Sequence, residues 1–400
     1  MKKFLSLLFV VCSAPAWAGT LVLNTDLSPP TIPAWEAAIE GFKAENPDIE
    51  VQWNNMAHEA YKTAIRNFLT ADAPDIANWY AGNRMAPFVE AGLFEDVSDL
   101  WEEYGLNASL KSARSAMTID GKQWGVPYTY YQWGIYYRKD IFAKHGIKTP
   151  TNWDELMAAQ KTLQANGITP FTIGSKYLWT AAGVFDYLNL RINGYEFHMD
   201  LTSGKVAYTD PRVVKVFDHW EKMVFIDNHA ALDWQQGLAP MVNGEAAMYV
   251  MGNFAVLPLR EAGLGDDQLG FMQFPAITPG LPLAEDAPTD TIHIPARAKN
   301  KAEARKFMAY MARAGVQTRM NAALGQLPVN AASSVNEDDP FLVAGFAMLS
   351  NAYGLAQFYD RDAPAAMAKA GMEGFQEFMV RPDRKMAILE RLEKARQRHY

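Results

Sequence analysis

The chain has 400 residues, 49% of them hydrophobic and 20% charged, and carries a formal net charge of −8 at pH 7. Length and composition suit a folded chain of two domains with substantial cores, and they exclude a disordered or fibrous polypeptide. An acidic balance with no block of Lys and Arg also excludes nucleic acid and anionic membrane surfaces as electrostatic partners.

Lys2 and Lys3 precede an apolar run at 4–11, Pro15 breaks the run, and Ala16-Trp17-Ala18 supplies a small–x–small pattern. This is the layout of a secretory signal peptide, so residues 1–18 are expected to be cleaved after Ala18, leaving a periplasmic chain. The run is about half of the ~20 residues a membrane span needs, so no membrane insertion is expected. Cys12 is the only cysteine, and Phe9-Val10-Val11 before it lacks the small residue of a lipoprotein signal. A mature chain without cysteine has no disulfide and no thiolate metal site.

Residues 20–24 read as a short apolar strand and 25–30 as a loop. Pro33 suits a first helical turn, and Trp35, Ala38, Ile39 and Phe42 fall on one buried helix face. Asn46-Pro47 stops that helix, 49–53 alternates as a strand, 61–69 is an amphipathic helix, and 75–79 is a third strand. Strand–helix–strand alternation predicts right-handed crossovers and a largely parallel sheet, with ligand bound beyond the strand ends at 24–26 and 79–84. Further along, 124–137 is extended, and a helix at 154–165 is capped by Asn152 or Thr151. A strand follows at 170–173, helices at 180–192 and 211–224, and strands at 246–250 and 271–274. An acidic, Pro-rich loop covers 280–290. Helices are predicted at 301–314, 341–349, 364–379 and 382–398, the last solvated because acids interleave with its bases.

The seven histidines are scattered and no His-Glu-x-x-His occurs, which speaks against a metal site. Gly263, Gly265 and Gly270 have the wrong spacing for a dinucleotide loop, and Asp266 and Asp267 beside them would repel phosphate. No Walker sequence and no Gly-x-Ser-x-Gly elbow is present, and Asp360-Arg361-Asp362 lacks the remaining ligands of a calcium loop. A carboxylate pair for glycoside hydrolysis carries no sequence mark, so an exported glycosidase stands as a rival reading.

The positive signal lies in eleven tryptophans and seventeen tyrosines, several placed where strands end and mixed with amides and acids. These segments are 79–84, 128–133, 176–179, 252–254 and 357–361. Flat rings cover the C–H faces of a pyranose, while planar Asn, Asp, Gln and Arg groups meet its rim of hydroxyls. Trp35, Trp53, Trp153 and Trp220 are assigned to packing. By themselves these residues reach only a pocket of rings and amides.

A set of short motifs in fixed order and spacing goes further: Ala44-Glu45-Asn46-Pro47-Asp48-Ile49-Glu50-Val51, Ala73-Pro74-Asp75-Ile76, the segment 121–128 beginning Gly121-Lys122-Gln123-Trp124, Tyr136-Tyr137-Arg138-Lys139-Asp140, Asn152-Trp153-Asp154-Glu155-Leu156, Asn243-Gly244-Glu245 with Gly252-Asn253, and the helix after Ala298-Lys299-Asn300. Over essentially the whole mature chain the sequence resembles the family 1 extracellular solute-binding proteins, the sugar-binding components of bacterial ABC importers. The resemblance implies an α/β, two-lobed periplasmic-binding-protein fold, with two mixed sheets flanked by helices and a three-segment hinge. The implied crossings fall near Tyr130, Thr289 and Asp339. One lobe would hold 19–130 with 289–340, the other 131–288 with 341–400. The implied protein is a monomer without cofactor or enzymatic activity. It would capture a neutral mono- or oligosaccharide by hinge closure and pass it to membrane permease subunits.

The same resemblance suggests the site. Asp26 and Ser28, with Trp79, Asn83 and Arg84, come from the first lobe. Tyr131 and Trp133 lie at the first crossing, and Trp179, Asn253 and Phe254 come from the second lobe. Asp290 lies near the second crossing, and Tyr359 and Arg361 near the end of the chain. Trp79, Trp133 and Trp179 are expected to stack, Asp26, Asn83, Asn253 and Asp290 to take hydroxyls, and Arg84 and Arg361 to donate in pairs. Where many relatives carry tryptophan after the motif's glycine, this chain has Asn253-Phe254. Two rival ligands keep the fold: a polyamine between Asp and Trp, and ferric iron on the pairs Tyr130-Tyr131 and Tyr136-Tyr137.

Overall fold

The computed structural model describes residues 19–400, so the cleavage expected after Ala18 lies outside the described residues. Nine strands form the two main sheets: β1 (Gly19–Thr25), β2 (Ile49–Asn55), β3 (Ile76–Tyr80), β4 (Val126–Tyr130), β5 (Trp133–Arg138), β6 (Thr169–Thr172), β7 (Ala246–Gly252), β8 (Leu269–Met272) and β9 (Thr289–His293). The first sheet has the order β2-β1-β3-β9-β4, and the second β8-β5-β7-β6. Both are mixed. In the first, β1 runs parallel to β2 and β3, whereas β9 pairs antiparallel with β3 and β4. In the second, only β6 and β7 are parallel.

Local chemistry explains the main elements. The helix Ile32–Glu45 starts with Pro33 in its first turn and buries Trp35, Ala38, Ile39 and Phe42, the face its spacing predicts. The helix Trp153–Ala165 is capped by Asn152, whose side chain accepts from the Glu155 amide at 3.0 Å. Glu155 in turn accepts from the Thr151 amide at 2.8 Å. Of the two candidate capping residues Asn152 is therefore the cap, and Thr151, just before it, is held in place by Glu155. The extended stretch read at 124–137 is two strands, one in each sheet. The strand β9 replaces the end of the loop expected at 280–290, and a helix at Ala314–Leu324 follows Lys301–Met311 where one helix was expected.

Each sheet has its own apolar core. Leu21, Leu23, Trp35, Phe42, Ile76 and Phe307 belong to the first. Ile135, Phe185, Phe217, Tyr249 and Phe375 belong to the second. The C-terminal helices join the second core, where Phe375 of Ala365–Val380 stacks on Phe185 at 4.2 Å. The chain passes between the sheets at Tyr131-Gln132, between β8 and β9, and between Val329 of the first core and Phe341 of the second. Gln132 is buried at the first passage and donates to the Phe341 carbonyl at 2.9 Å, joining the first passage to the third. Leu327 and Tyr130 exchange backbone hydrogen bonds beside it, at 3.0 and 3.1 Å. Among the described residues no helix is long and apolar enough to cross a membrane.

One close approach needs glycine. In the helix Trp179–Asn193, a Cβ on Gly183 would run into the Trp133 ring. Gly183→Val is expected to lower folding stability by about 1–3 kcal/mol through overpacking, as read by urea denaturation. An unchanged midpoint would mean that the ring has room to move.

Candidate functional site

A cavity of about 250 Å³ lies between the two sheets, at the carboxyl ends of β1 and β3, where open α/β sheets bind ligands. Asp26, one residue beyond β1, is buried on its wall. Its carboxylate accepts from Asn78 Nδ2 at 2.5 Å and Tyr80 OH at 2.7 Å, and His58 Nδ1 lies 2.9 Å away. Burial alone would raise the Asp26 pKa. The hydrogen bonds and charge from His58, with Tyr80 and Asn78, outweigh burial and hold it below the usual carboxylate value.

Asp290 reaches the same cavity because of strand register. It sits directly opposite Tyr80, and Thr291 sits opposite Trp79. The pairing of β9 with β4 shifts register between Asp290 and Thr291, a local irregularity of the kind that re-aims side chains beside sites. Arg361 binds Asp290 at 3.1 Å and also donates to the Thr289 carbonyl at 2.8 Å and to Tyr131 OH at 3.1 Å. Its guanidinium lies 4.5 Å from the centre of the Tyr80 ring. Burial lifts the Asp290 pKa to about 6, against the opposing pull of Arg361.

Aromatic rings of the second core form the other wall. Trp133 meets Trp179 edge-on at 6.1 Å and 83°, and Phe358 packs on it at 4.7 Å. Phe254 stands perpendicular to Tyr131 at 5.2 Å and to Trp234 at 5.1 Å. Two segments delivering these rings hold non-glycine residues at positive φ, Leu178 at 72° just before Trp179 and Phe358 at 120°. Such conformations persist only where the surroundings fix them. For Phe358, the Asp362 carboxylate accepts from the Gln357 and Phe358 amides at 2.9 and 3.3 Å.

The basic side chains on the cavity wall have carboxylate partners. Besides Arg361 with Asp290 and His58 with Asp26, Lys62 lies 3.4 Å from Glu59, and outside the wall Arg84 lies 3.7 Å from Asp360. Burial lowers the Lys62 pKa, and the charge of Glu59 opposes the shift. The indole N–H groups of Trp35 and Trp133 are buried without a protein partner.

Of the residues expected at a site, Asp26, Ser28, Tyr131, Trp133, Trp179, Phe254, Asp290 and Arg361 line this cavity. Five others sit elsewhere. Trp79 is 3% exposed and turned into the first core, edge-on to Phe88 at 5.3 Å, with its indole donating to the Arg84 carbonyl at 2.8 Å. Strand alternation is the reason: Asn78 and Tyr80 face the cavity, so Trp79 faces away. Asn83 donates to the Asp362 carbonyl at 2.8 Å, and Arg84 covers the Trp79 and Tyr80 rings from 5.3 and 5.9 Å. Asn253 accepts from Tyr136 OH at 3.0 Å and donates to the Gly325 carbonyl. Tyr359 is buried with its hydroxyl bonded to that of Tyr208.

The cavity also has walls outside the segments singled out in the sequence, among them His58, Lys62 and Asn78, while Tyr80 and Phe358 belong to two of those segments, 79–84 and 357–361. Trp35, assigned to packing, is buried and still borders the cavity. Trp234-Gln235 carries the same ring-beside-amide signature as the segments singled out, so that test applied to every loop finds it.

Residues 28–318 match the family described as bacterial extracellular solute-binding protein. An uncharacterized ABC transporter extracellular-binding protein of Pyrococcus horikoshii is 26% identical over 317 residues, 77% of this chain and 70% of that protein. A multiple sugar-binding protein of Streptococcus mutans is 26% identical over 288 residues, 68% of this chain and 66% of that protein. Among solved structures, the bacterial solute receptor AcbH, described as having an exclusive preference for β-D-galactopyranose, is 27% identical with a TM-score of 0.88. The match covers 95% of this chain and 99% of AcbH. RafE in complex with raffinose shares the fold, with a TM-score of 0.78 at 22% identity over 95% of this chain and 99% of RafE.

Proposed function

Because the chain belongs to the family of bacterial extracellular solute-binding proteins, we propose that it captures a neutral carbohydrate in the periplasm and hands it to the permease of an ABC importer, without enzymatic activity. The observation that carries this reading is the cavity's two unlike walls. One presents Asp26, Asn78 and Asp290 to hydroxyls, and the other presents Trp133, Trp179 and Phe254 to C–H faces. The AcbH and Streptococcus mutans relatives, both tied to sugars by name, support the ligand class.

Neutrality follows from the paired charges. A phosphate or sugar acid would compete with Asp290 for Arg361 and face Asp26 across the cavity, and a polyamine would compete with Arg361 and His58 for the same carboxylates. Ferric iron needs phenolates. Burial raises the pKa of Tyr130, Tyr131 and Tyr136, and neighbours Tyr136 and Tyr137 point to opposite faces of β5.

The proposed lobes are 19–130 with 289–340 and 131–288 with 341–400, hinged at the three passages. The exported form begins after Ala18, acts as a monomer, and closes around its ligand. Contacts from both lobes exist only in the closed form, so ligand shifts the population toward it.

A thermal-shift and calorimetry panel of neutral sugars, sugar acids and polyamines tests the reading. A raised melting temperature with chemically unchanged neutral sugar is expected. Hydrolysis would identify an enzyme, for which Asp26 and Asp290, with pKa values pushed apart, would be the first suspects. A response confined to charged ligands would also overturn the proposal.

The pH profile provides a further check. Asp290 has a raised folded pKa, so it contributes stability below about pH 3.8 that is lost as pH rises through about 6. Hydroxyl donation by the ligand favours the charged form. Affinity is therefore expected to fall about three- to tenfold between pH 7.5 and 5, because the carboxylate must be deprotonated to accept. In Asp290→Asn the profile flattens in calorimetric titrations. A wild-type profile that is already flat would remove Asp290 from the ligand contacts.

A further inference from the structure

Resting on the carbohydrate reading, we propose that the cleft takes a single sugar ring, so that the protein is a receptor for monosaccharides and discriminates against longer glycans. The cavity of about 250 Å³ lies just under the ~300–1,000 Å³ of typical ligand pockets. A cleft at the small end of that range favours one ring over a chain of them.

The arrangement of the rings points the same way. A glycan chain is gripped along its length by rings laid in a row, each under one sugar. Here the rings stand across one another, Trp133 against Trp179 at 83°, Trp234 against Phe254 at 87°, and Tyr131 against Phe254 at 88°. Perpendicular rings make a cup for one guest, with faces and edges on different sides of it.

The two halves of the protein also touch beside the cavity, where a longer chain would have to pass. Next to cavity-lining Asp360 and Arg361, Asn83 donates to the Asp362 carbonyl at 2.8 Å. Gly82 there approaches so closely that an added Cβ would lie 2.6 Å from the Arg361 carbonyl oxygen. Next to His58, the Trp179 indole donates to Glu59 at 3.3 Å. At the rim Pro29 and Gln235 are exposed, so a second ring there lies in water, outside the cup formed by Trp133, Trp179 and Phe254.

Isothermal titration of the mature chain with glucose, galactose, mannose, xylose and arabinose, and with maltose, lactose, melibiose, cellobiose and raffinose, decides the matter. The expected result is a monosaccharide bound at least tenfold more tightly than every larger sugar containing it. A disaccharide or trisaccharide bound as tightly as its constituent overturns the size assignment and leaves the carbohydrate reading intact. No binding by any sugar of either set overturns both. In Glu59→Ala, with folding verified by circular dichroism, loss of the contact to Trp179 is expected to narrow the preference for the monosaccharide by at least threefold. An unchanged ratio would mean that this contact does not bound the site, and the argument from the touching halves fails with it.

Discussion

Arg361→Ala is expected to abolish measurable ligand binding and to lower folding stability by about 3–5 kcal/mol, the scale for removing one partner of a buried ion pair. Arg361 is 7% exposed. It joins three parts of the molecule at once: the Thr289 carbonyl and Asp290 on β9, Tyr131 at the first passage, and its own helical turn Tyr359–Asp362. Alanine leaves the Asp290 carboxylate buried beside Asp26 without its counter-ion, so Asp290 takes up a proton and the cavity loses a hydroxyl acceptor. Arg361→Lys keeps the charge and loses the planar fork that serves three acceptors. It should recover part of the stability and little of the affinity. Urea denaturation and calorimetry read the two effects separately, and an Arg361→Ala protein that binds like wild type would place the ligand elsewhere.

Trp133→Ala is the second large effect. Truncating a buried tryptophan costs about 3–5 kcal/mol of stability, and removing a central aromatic wall costs roughly 2–4 kcal/mol of binding. Trp133 is 2% exposed and touches Trp179, Phe254 and Phe358, so its loss removes the middle of the cup. Trp79→Phe is the informative control. Trp79 faces the first core behind Tyr80, so this substitution is expected to leave ligand affinity within about threefold while lowering stability by roughly 1–2 kcal/mol, in part through the lost indole hydrogen bond. If Trp79→Phe weakens binding as much as Trp133→Ala, strand β3 presents the opposite face from the one described.

These two tryptophans mark what the sequence discloses and what it withholds. Both stand at strand ends among small polar residues, and their composition is equally suggestive. What separates them is facing. The partner strand β9 lies far along the chain and begins at the end of a stretch read as loop, and only its register, with Asp290 opposite Tyr80, fixes which side of β3 meets the cavity. The same holds for Asn83, Arg84 and Asn253. Their side chains are polar and correctly placed along the chain, but they are taken up by Asp362, Asp360 and Gly325 of the facing half. Tyr359 is drawn into the second core by Tyr208. Elements with strong local marks, such as the helix begun by Pro33 and the one capped by Asn152, are legible because short-range chemistry sets them. The interior strand β9, whose first residues Thr289 and Asp290 fall at the end of the acidic, Pro-rich stretch read as loop, is made a strand by its neighbours on both sides.

The contacts of Asn83 with Asp362, Arg84 with Asp360 and Trp179 with Glu59 include several groups that need never meet the guest. They act as clasps with their own share of the closing free energy, present in equal measure for every single-ring sugar that the closed cleft admits. Substitutions at Asn83 or Arg84 should therefore scale the affinities of those monosaccharides by a common factor and leave their ranking untouched. Selection on transport demand retunes the threshold concentration of uptake in this way without disturbing the choice among them.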